Sequence, residues 1–332
     1  MLEGVLPTID EVQAAADRLR DVLQPTECVR STALSQVAGV DVFLKRELDN
    51  PTGSFKVRGA YNVLASMPAD ARTRGVVASS AGNHGLGVAY AANAFDAPAM
   101  LYLPSTAPQV KKDGIRALGA DVNDEEPDYD AAMVRAKQHA HEHDIPFINP
   151  CLGVDLLAGQ GTVALEVLQQ QPDVRTLIVC TGGGGLLGGM GVVMRALAPQ
   201  VRVIGVQGEE TAAMTRSLAA GHVVEIPSVP TLADGLAGQI DDDALHIGQY
   251  CADEMLLVSE EEIAQAIAWL HATEQVTVEG AGAVAVAALL HERVRDKLRD
   301  LEGPVVAIVS GRNIDATKHA AIVRQFASAV AH

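Results

Sequence analysis

The sequence predicts an α/β fold in which parallel β-sheets are covered on both faces by helices. Short apolar segments alternate with helical segments along most of the 332 residues, which is the pattern of strand–helix–strand units. The apolar segments lack a polar residue at every second position, as strands do when both faces of a parallel sheet are buried. Aromatic residues make up only 3% of the chain, and the abundant small residues suit helices packed closely on a sheet.

The predicted strands fall into two groups along the chain. With 332 residues the chain is long enough for two lobes with separate cores. The strands cover residues 75–79, 99–104, 146–150, 176–180, 201–207, 254–259 and 304–311. Those between 75 and 149 lie close together in the chain, so they predict a small, inserted and mobile domain over 75–149. Residues 1–74 and 150–332 are then predicted to form the large domain, with approximate boundaries.

Capping boxes, in which a hydroxyl and a carboxylate three residues later satisfy free backbone amides, mark two helix starts. Thr8 and Glu11 have this spacing at the first predicted helix. Ser259 and Glu262 repeat it at the start of a later one. Between the predicted strands, the acidic stretch 121–130 is interpreted as a solvated loop.

Composition and charge exclude several classes of protein. The net charge of −17 argues against nucleic-acid binding and against attraction to an anionic membrane. No apolar run reaches membrane-spanning length, and the N-terminal residues lack the pattern of a secretory signal. The cysteines lie far apart without metal-ligand spacing, as in a reducing compartment, so a cytoplasmic protein is predicted. They are Cys28, Cys151, Cys180 and Cys251.

Polar or glycine-rich segments follow three of the predicted strands. They are 79–85 (SSAGNHG), 181–189 (TGGGGLLGG) and 310–315 (SGRNID). Ligands of open parallel sheets bind beyond the carboxyl ends of the strands. The sequence therefore predicts a ligand site formed by these three segments.

The glycine loop, residues 182–185, follows a predicted buried strand and opens a predicted helix. Glycines leave the backbone amides free of Cβ atoms, and with a helix N-terminus they form a site for an anion such as phosphate. A tight turn is the structural alternative, but a turn needs only one or two glycines. A phosphate-binding loop is therefore the stronger interpretation.

A dinucleotide is one candidate for the bound phosphate. Gly183, Gly185 and Gly188 match the dinucleotide fingerprint, and Glu209 or Glu210 lies beyond the next predicted strand. A single match of this kind is weak, because a run of glycines can satisfy it by chance. A nicotinamide-dependent oxidoreductase nevertheless stays open as an alternative at this point.

Lys56 favours pyridoxal phosphate, rather than a dinucleotide, as the source of the bound phosphate. It lies in NPTGSFKVRGA, residues 50–60, between Phe55 and Val57, where the ordinary interpretation is an exposed lysine at a helix start. A pyridoxal phosphate enzyme needs a lysine amine that condenses with the cofactor aldehyde, and a separate cradle for the phosphate. Phe55 could pack against the cofactor ring. Lys56 and the glycine loop together match both requirements.

Seven motifs in a fixed order, spanning about residues 25–320, resemble the fold-type II pyridoxal phosphate enzymes, and most closely the threonine/serine dehydratases and serine racemases. They are TGSFKVRGA, SSAGNHG, GQGT (159–162), TGGGGLLGG, TLADG (231–235), EGAGA (279–283) and SGRNID. The resemblance implies a two-lobed fold like that of the tryptophan synthase β-subunit. It also implies pyridoxal 5'-phosphate as cofactor, a small β-hydroxy amino acid as substrate, and a homo-oligomer, either dimer or tetramer.

The resemblance also implies roles for individual residues. Lys56 would bond to the cofactor and later carry the Cα proton of the substrate, as the catalytic residue. Asn83 would hydrogen-bond the phenolic oxygen of the cofactor, and Ser310 would face its pyridine nitrogen. The phosphate would be held by backbone amides of Gly182, Gly183, Gly184, Gly185 and Leu186.

The substrate carboxylate would bind at the start of the helix that follows the predicted strand 75–79, where the helix dipole favours an anion. The residues in that place are Ser80, Ala81, Asn83 and His84. Glu279 would lie near the cofactor ring and the substrate side chain.

Three positions depart from the racemase and dehydratase patterns. Ala81 stands where racemases carry a serine as acid and base, so we expect dehydration with little racemisation. Gln207 stands where racemases carry an acidic cation ligand, so no metal is assigned. Arg312 stands where the family motif has a second glycine, and this variant resembles the hydroxyectoine-utilisation dehydratases. The identity of the substrate is therefore left undecided. Phenylserine and 3-hydroxyaspartate are further alternatives.

The sequence therefore predicts a pyridoxal phosphate-dependent ammonia-lyase that converts L-threonine or L-serine to a 2-oxo acid and ammonia. Serine racemisation and dehydration of a less usual hydroxy amino acid stay as related alternatives. An oxidoreductase that uses the glycine fingerprint 183–188, and a cofactor-binding regulatory protein without turnover, are the alternatives from other classes.

Overall fold

The computed structural model describes residues 4–298 and 300–327, which form two β-sheets flanked by helices. The strands of the described residues are β1 (Cys28–Arg30), β2 (Val42–Lys45), β3 (Val76–Ser79), β4 (Ala99–Pro104), β5 (Asp121–Glu126), β6 (Thr176–Cys180), β7 (Arg202–Gly208), β8 (Glu254–Val258) and β9 (Val305–Ile308).

The helices connect these strands and cover the sheets. The α-helices of the described residues are α1 (Ile9–Leu19), α2 (Thr32–Ala38), α3 (Lys56–Ser66), α4 (Ala69–Arg74), α5 (Asn83–Ala94), α6 (Gln109–Ala117), α7 (Tyr129–Glu142), α8 (Val154–Gln170), α9 (Gly185–Leu197), α10 (Ala213–Ala220), α11 (Asp242–Cys251), α12 (Glu260–Thr273), α13 (Gly280–Leu290), α14 (Glu292–Arg295) and α15 (Ala316–Phe326). Single 3₁₀ turns lie at Glu47–Asp49, Glu209–Thr211 and Asp234–Leu236.

The larger sheet has six strands in the order β1-β2-β9-β6-β7-β8. All neighbouring pairs in it are parallel except β1 with β2. The smaller sheet has the order β3-β4-β5, and its strands are all parallel. The predicted α/β class, with parallel sheets covered by helices, is thereby confirmed. Both sheets present the carboxyl ends of their parallel strands to the segments that the sequence analysis singled out.

The centre of the larger lobe explains the apolar composition. Helix α13 is built from glycine, alanine, valine and leucine, and all its residues except the last are buried. A helix that is apolar on all sides belongs in the core, and α13 packs between the larger sheet and α12. Trp269 on α12 is 8% exposed and lies in the same core. No helix among the described residues is both long and apolar enough to cross a bilayer.

Two interpretations of local sequence are wrong, whereas both capping boxes are present. The acidic stretch at 121–130 is not a loop throughout, since Asp121–Glu126 forms β5 and pairs with β4. As an edge strand, β5 can carry charged side chains that a central strand cannot bury. The predicted strand at 146–150 is reduced to a single bridge between Phe147 and Val77.

Candidate active site

Lys56 is the first residue of α3, and its side chain is half-buried. Its Nζ donates a hydrogen bond of 2.7 Å to the carbonyl oxygen of Pro150 and lies 5.3 Å from the ring centroid of Phe55. The phenyl ring is itself 8% exposed. The amine is therefore held inside the molecule, and the interpretation of Lys56 as an ordinary exposed lysine is wrong.

Close backbone contacts hold the start of α3 from two sides. A Cβ atom on Gly87 of α5 would lie 3.2 Å from the carbonyl oxygen of Lys56. A Cβ atom on Gly159 of α8 would lie 2.6 Å from the carbonyl oxygen of Arg58. Since the second distance is shorter than any real Cβ contact, only glycine allows α8 to approach α3 this closely. The GQGT motif therefore contributes packing that fixes the position of Lys56.

A buried ionic cluster surrounds Arg58, two residues along α3 from the lysine. The Arg58 guanidinium donates to Glu47 at 2.7 Å and to Glu166 at 2.6 Å, and Lys45 donates to Glu166 at 2.5 Å. Lys45, Glu47 and Arg58 are each at most 1% exposed. Burial opposes ionisation of Glu47, but the charge of Arg58 and its hydrogen bonds bring the pKa of Glu47 below its usual value. The cluster ties α3 to β2 and α8, and sequence motifs gave no indication of it.

The glycine loop has backbone amides without partners. Among the described residues, none of the amides of residues 182–185 donates a hydrogen bond to another backbone or side-chain group. Gly184 has φ +90°, and α9 begins at Gly185. A Cβ atom on Gly183 would lie 2.8 Å from Cys151 Sγ, and one on Gly182 would lie 3.1 Å from Leu236 Cα. Free amides at a helix start are what the predicted anion cradle requires, and its role stays a prediction.

Ser310 lies at the carboxyl end of β9 and is 2% exposed. Its hydroxyl is 3.5 Å from the carbonyl oxygen of Ala281, which is a weak contact and leaves it available for a better partner. Its own carbonyl accepts from the amide of Phe55 at 3.2 Å. The loop before Lys56 and the segment after β9 therefore run side by side, also joined by the bridge between Ser54 and Gly311.

Asn83 opens α5 and joins two other motifs. Its Nδ2 donates to Glu279 Oε1 at 2.6 Å, and its Oδ1 accepts from Asn313 Nδ2 at 2.6 Å. Glu279 is 6% exposed, and burial raises its pKa to about 7 although the Asn83 hydrogen bond opposes this. Asn313 was part of a quoted motif, but no pattern in the sequence assigned it a function. The structure thus brings together the segments at 83, 279 and 313.

His84 follows Asn83 and is buried. Its Nε2 lies 3.1 Å from the carbonyl oxygen of Ile148, and because a carbonyl only accepts, Nε2 carries the proton and Nδ1 a lone pair. Burial, with the charge of Lys56 as a further cause, lowers the pKa of His84 to about 3. The ring is therefore neutral and offers no donor from Nδ1. Ser80 and Ala81 lie beside it, and the Ser80 hydroxyl accepts from the amide of Gly82 at 3.2 Å.

The predicted cofactor residues and the predicted substrate residues lie in segments that contact one another at the strand ends. Three observations show that these residues suit pyridoxal phosphate. The Lys56 amine faces inward, the amides of the glycine loop are free, and the buried Ser310 hydroxyl has only a weak partner. The described residues contain no group of three or more histidine, cysteine, aspartate or glutamate side chains placed to hold a metal. Gln207 uses its amide locally, in hydrogen bonds with the backbone of Thr211 and Thr215.

Comparison with known proteins gives a consistent result. The model of the pyridoxal-phosphate dependent enzyme family matches residues 19–311. The L-threonine ammonia-lyase of Thermotoga maritima is 42% identical, over 93% of this chain and 76% of that protein. The L-threonine ammonia-lyase of Geobacter sulfurreducens is 39% identical, over 95% of this chain and 77% of that protein.

Solved structures agree with these sequence relatives. Maize serine racemase superposes with a TM-score of 0.91 at 28% identity, covering 98% of this chain and all of the other. The processed form of threonine deaminase isoform 2 from Solanum lycopersicum gives 0.89 at 31% identity, covering 98% and 92%. The predicted branch, enzyme class and cofactor are confirmed, and the matches support pyridoxal phosphate over the dinucleotide alternative. The chain belongs to the family of pyridoxal-phosphate dependent enzymes.

Proposed function

We propose that the protein is an ammonia-lyase that converts L-threonine or L-serine to a 2-oxo acid and ammonia. The observation that carries this proposal is the inward Lys56 amine beside the strand ends, together with the separate glycine loop of free amides. The names of the two L-threonine ammonia-lyases described above support the choice of reaction and substrate.

The cofactor would be bound by groups from separate motifs. Lys56 would bond to it, the amides of the glycine loop and of Leu186 would hold its phosphate, and Phe55 would pack beside it. Ser310 would meet its ring nitrogen as a hydroxyl, which leaves that nitrogen without a counter-charge. When bound, pyridoxal phosphate acts as an electron sink that makes the Cα proton of an amino acid acidic.

Lys56 would then be the base that removes this proton, because its amine lies beside the proposed cofactor site. Asn83 would donate to the phenolic oxygen of the cofactor through the Nδ2 hydrogen that Glu279 does not use. Glu279 would face the substrate side chain. Its pKa of about 7 makes both its protonated and its ionised form accessible near neutral pH.

The substrate carboxylate would bind at the start of α5, where backbone amides and the helix dipole favour an anion. Ser80 and Ala81 lie at this position. For His84 we propose that the backbone amide, rather than the ring, takes part, since the ring is neutral and its only N–H is bonded to Ile148.

The domain arrangement and the setting of the enzyme are further parts of the proposal. Residues 75–149 would move as a small domain relative to 1–74 and 150–332 and would close over the substrate. The smaller sheet lies within 75–149, and this supports the boundaries. We also propose a homo-oligomer, dimer or tetramer, that works in the cytoplasm on a small amino acid.

The decisive experiment is reduction of the purified enzyme with borohydride, which fixes the cofactor covalently to its lysine. We expect the visible absorption band to be lost and the cofactor mass to map to the peptide that contains Lys56. Lys56→Ala should lose both this labelling and all release of 2-oxo acid from L-threonine and L-serine. The control is Lys318→Ala, which changes an exposed lysine. Labelling elsewhere, or turnover by Lys56→Ala, would exclude the assignment.

A substrate panel tests the choice of amino acid. L-Threonine, L-serine, phenylserine and 3-hydroxyaspartate are compared by 2-oxo acid release, and we expect the first two to be the best substrates. A higher kcat/KM for phenylserine or 3-hydroxyaspartate would instead support the alternative function, dehydration of a less usual hydroxy amino acid.

Racemisation is the property that Ala81 makes testable. A methyl group cannot donate a proton to the substrate, so no acid is expected on the side of the substrate opposite Lys56. We expect L-serine to give pyruvate with D-serine below the detection limit of chiral chromatography. Ala81→Ser should raise D-serine formation. Substantial D-serine from the unaltered enzyme would contradict the role given to Ala81.

A further inference from the structure

Asn313 makes two hydrogen bonds that together join the loop before Lys56 to the start of α5. Its Nδ2 donates to the backbone carbonyl of Thr52 at 2.8 Å and to Asn83 Oδ1 at 2.6 Å. Asn83 in turn donates from Nδ2 to Glu279 Oε1 at 2.6 Å. Thr52, Asn313, Asn83 and Glu279 are thus linked in this order by hydrogen bonds, and we call this chain the Thr52–Glu279 relay.

The direction of every bond in this relay is set at its Thr52 end. A backbone carbonyl can only accept, so the atom of Asn313 that faces Thr52 must be the nitrogen. The same nitrogen faces Asn83, so Asn83 must present its oxygen to it. The Asn83 nitrogen is thereby turned toward Glu279. This order does not depend on the protonation state of Glu279, because it starts from the main chain.

Two glycines provide the space that the relay needs. A Cβ atom on Gly53, which has φ +75°, would lie 2.6 Å from Asn313 Oδ1. A Cβ atom on Gly311 would lie 2.2 Å from Glu279 Oε1 and 3.2 Å from Asn83 Nδ2. The relay therefore fits only beside glycines at both positions. The neighbouring Arg312 is exposed.

We propose that Asn313 is a positioning residue that fixes the side-chain amide of Asn83, so that its nitrogen faces Glu279 and keeps one hydrogen for the cofactor. The proposal rests on the proposed function, in which Asn83 contacts pyridoxal phosphate. An asparagine amide otherwise has two orientations related by a half-turn, and only one of them offers a donor to the phenolic oxygen. Asn313 removes the wrong orientation before the cofactor binds.

The test variant is Asn313→Asp, which keeps the shape of the side chain but replaces the donating nitrogen with an oxygen. This oxygen would face two acceptors, the Thr52 carbonyl and Asn83 Oδ1, so the Asn83 amide is expected to turn over. Asn313→Ala removes the donor without adding a charge and is the second variant. Arg312→Gly is the control, since it changes the adjacent residue and leaves the relay intact.

The readouts are the visible absorption maximum of the holoenzyme and the dissociation constant of pyridoxal phosphate, measured by titration after dialysis. A lost hydrogen bond at a buried acceptor corresponds to roughly tenfold weaker binding or more. We expect this loss, with a shifted absorption maximum, for Asn313→Asp and a smaller loss for Asn313→Ala. Arg312→Gly should bind as the unaltered protein does.

Each substitution is repeated in the Asn83→Ala background. If Asn313 acts through Asn83, Asn313→Asp and Asn313→Ala have no further effect there. Equal losses in both backgrounds, or unchanged binding and spectrum when Asn313 is substituted in the protein that retains Asn83, would overturn the inference. These measurements follow cofactor binding alone, so they remain decisive even if L-threonine and L-serine prove not to be substrates.

Discussion

Glu279 is a single buried residue that should make the stability of the folded protein depend on pH. Its carboxyl group is 6% exposed, and burial raises its pKa to about 7 from the ordinary 4.5. The Asn83 hydrogen bond and the charges of Lys111 and Lys56 oppose this rise, whereas Asp234 adds to it. The folded state therefore binds the proton of Glu279 more tightly than the unfolded chain does.

The raised pKa predicts that Glu279→Gln changes how stability depends on pH. The contribution of Glu279 is fully present below pH 4.5 and is lost as the pH rises through 7. The loss amounts to at most about 3–4 kcal/mol, because the pKa rises from 4.5 to about 7 and one pKa unit corresponds to about 1.4 kcal/mol. We expect Glu279→Gln, without cofactor, to gain stability relative to the unaltered protein between pH 5 and pH 8.

Urea unfolding at a series of pH values measures this difference. Glu210→Gln, at an exposed carboxylate, is the control and should run parallel to the unaltered protein. A constant difference between Glu279→Gln and the unaltered protein across the range would show that Glu279 does not titrate near neutral pH.

Residues whose chemistry depends on local sequence were predictable, and residues that act through distant contacts were not. Lys56 and the glycine loop stood out because an amine among apolar residues and four successive glycines are unusual. Asn313 was missed because its two partners lie 261 and 230 residues away in the chain. Arg58 was missed for the same reason, since its partner Glu166 is 108 residues away.

At the level of elements, α3 combines Lys56 with a buried set of charges. Arg58 bonds to both Glu47 and Glu166, so the helix is fixed to the 3₁₀ turn after β2 and to α8. Buried ion pairs gain little on balance, but losing one partner leaves the other charge without compensation. The cluster therefore serves to hold α3 in one position rather than to add stability.

Removing Glu47 should consequently destabilise the protein strongly. Glu47→Leu keeps a similar volume but leaves the Arg58 and Lys45 charges with Glu166 alone, and we expect a loss of about 3–5 kcal/mol. Asp41→Asn is the control, because Asp41 pairs with Arg30 on the surface and such pairs contribute about 1 kcal/mol or less. Denaturant unfolding of both variants makes the comparison. Similar losses for the two would show that the buried cluster is dispensable.

Among the elements, the apolar strands from residue 75 onward were predicted, including β3 and β8 at sheet edges, whereas β1, β2 and β5 were not. β6, β7, β8 and β9 are apolar runs, and each was predicted close to its observed position. β5 has a polar sequence, and its extended form comes from pairing with β4 rather than from its own residues. β1 is three residues long, too short to leave a pattern.

On the scale of the whole molecule, the proposed cofactor site draws on both sheets. The glycine loop and Ser310 follow strands of the larger sheet, and Asn83 follows β3 of the smaller one. A ligand that binds the folded state alone stabilises it in proportion to the logarithm of its concentration. Pyridoxal phosphate should therefore stabilise both sheets together.

Removal of the cofactor tests this expectation. At a cofactor concentration 100 times the dissociation constant, the unfolding free energy should rise by about 2.7 kcal/mol over the cofactor-free protein. Hydrogen exchange followed by mass spectrometry should show added protection in peptides of both sheets. Lys56→Ala should lose most of the gain. Protection confined to peptides of the larger sheet would contradict the joint site.

The acidic outer strand of the smaller sheet also restricts how copies of this protein can associate. The β5 sequence DVNDEE places four carboxylates in six residues along an edge that pairs with β4 on one side only. Two such edges brought side by side would set several carboxylates against each other, as in proteins whose charged edge strands oppose fibrous growth. Copies of the chain are thus steered away from pairing through β5 into a continuous sheet across molecules.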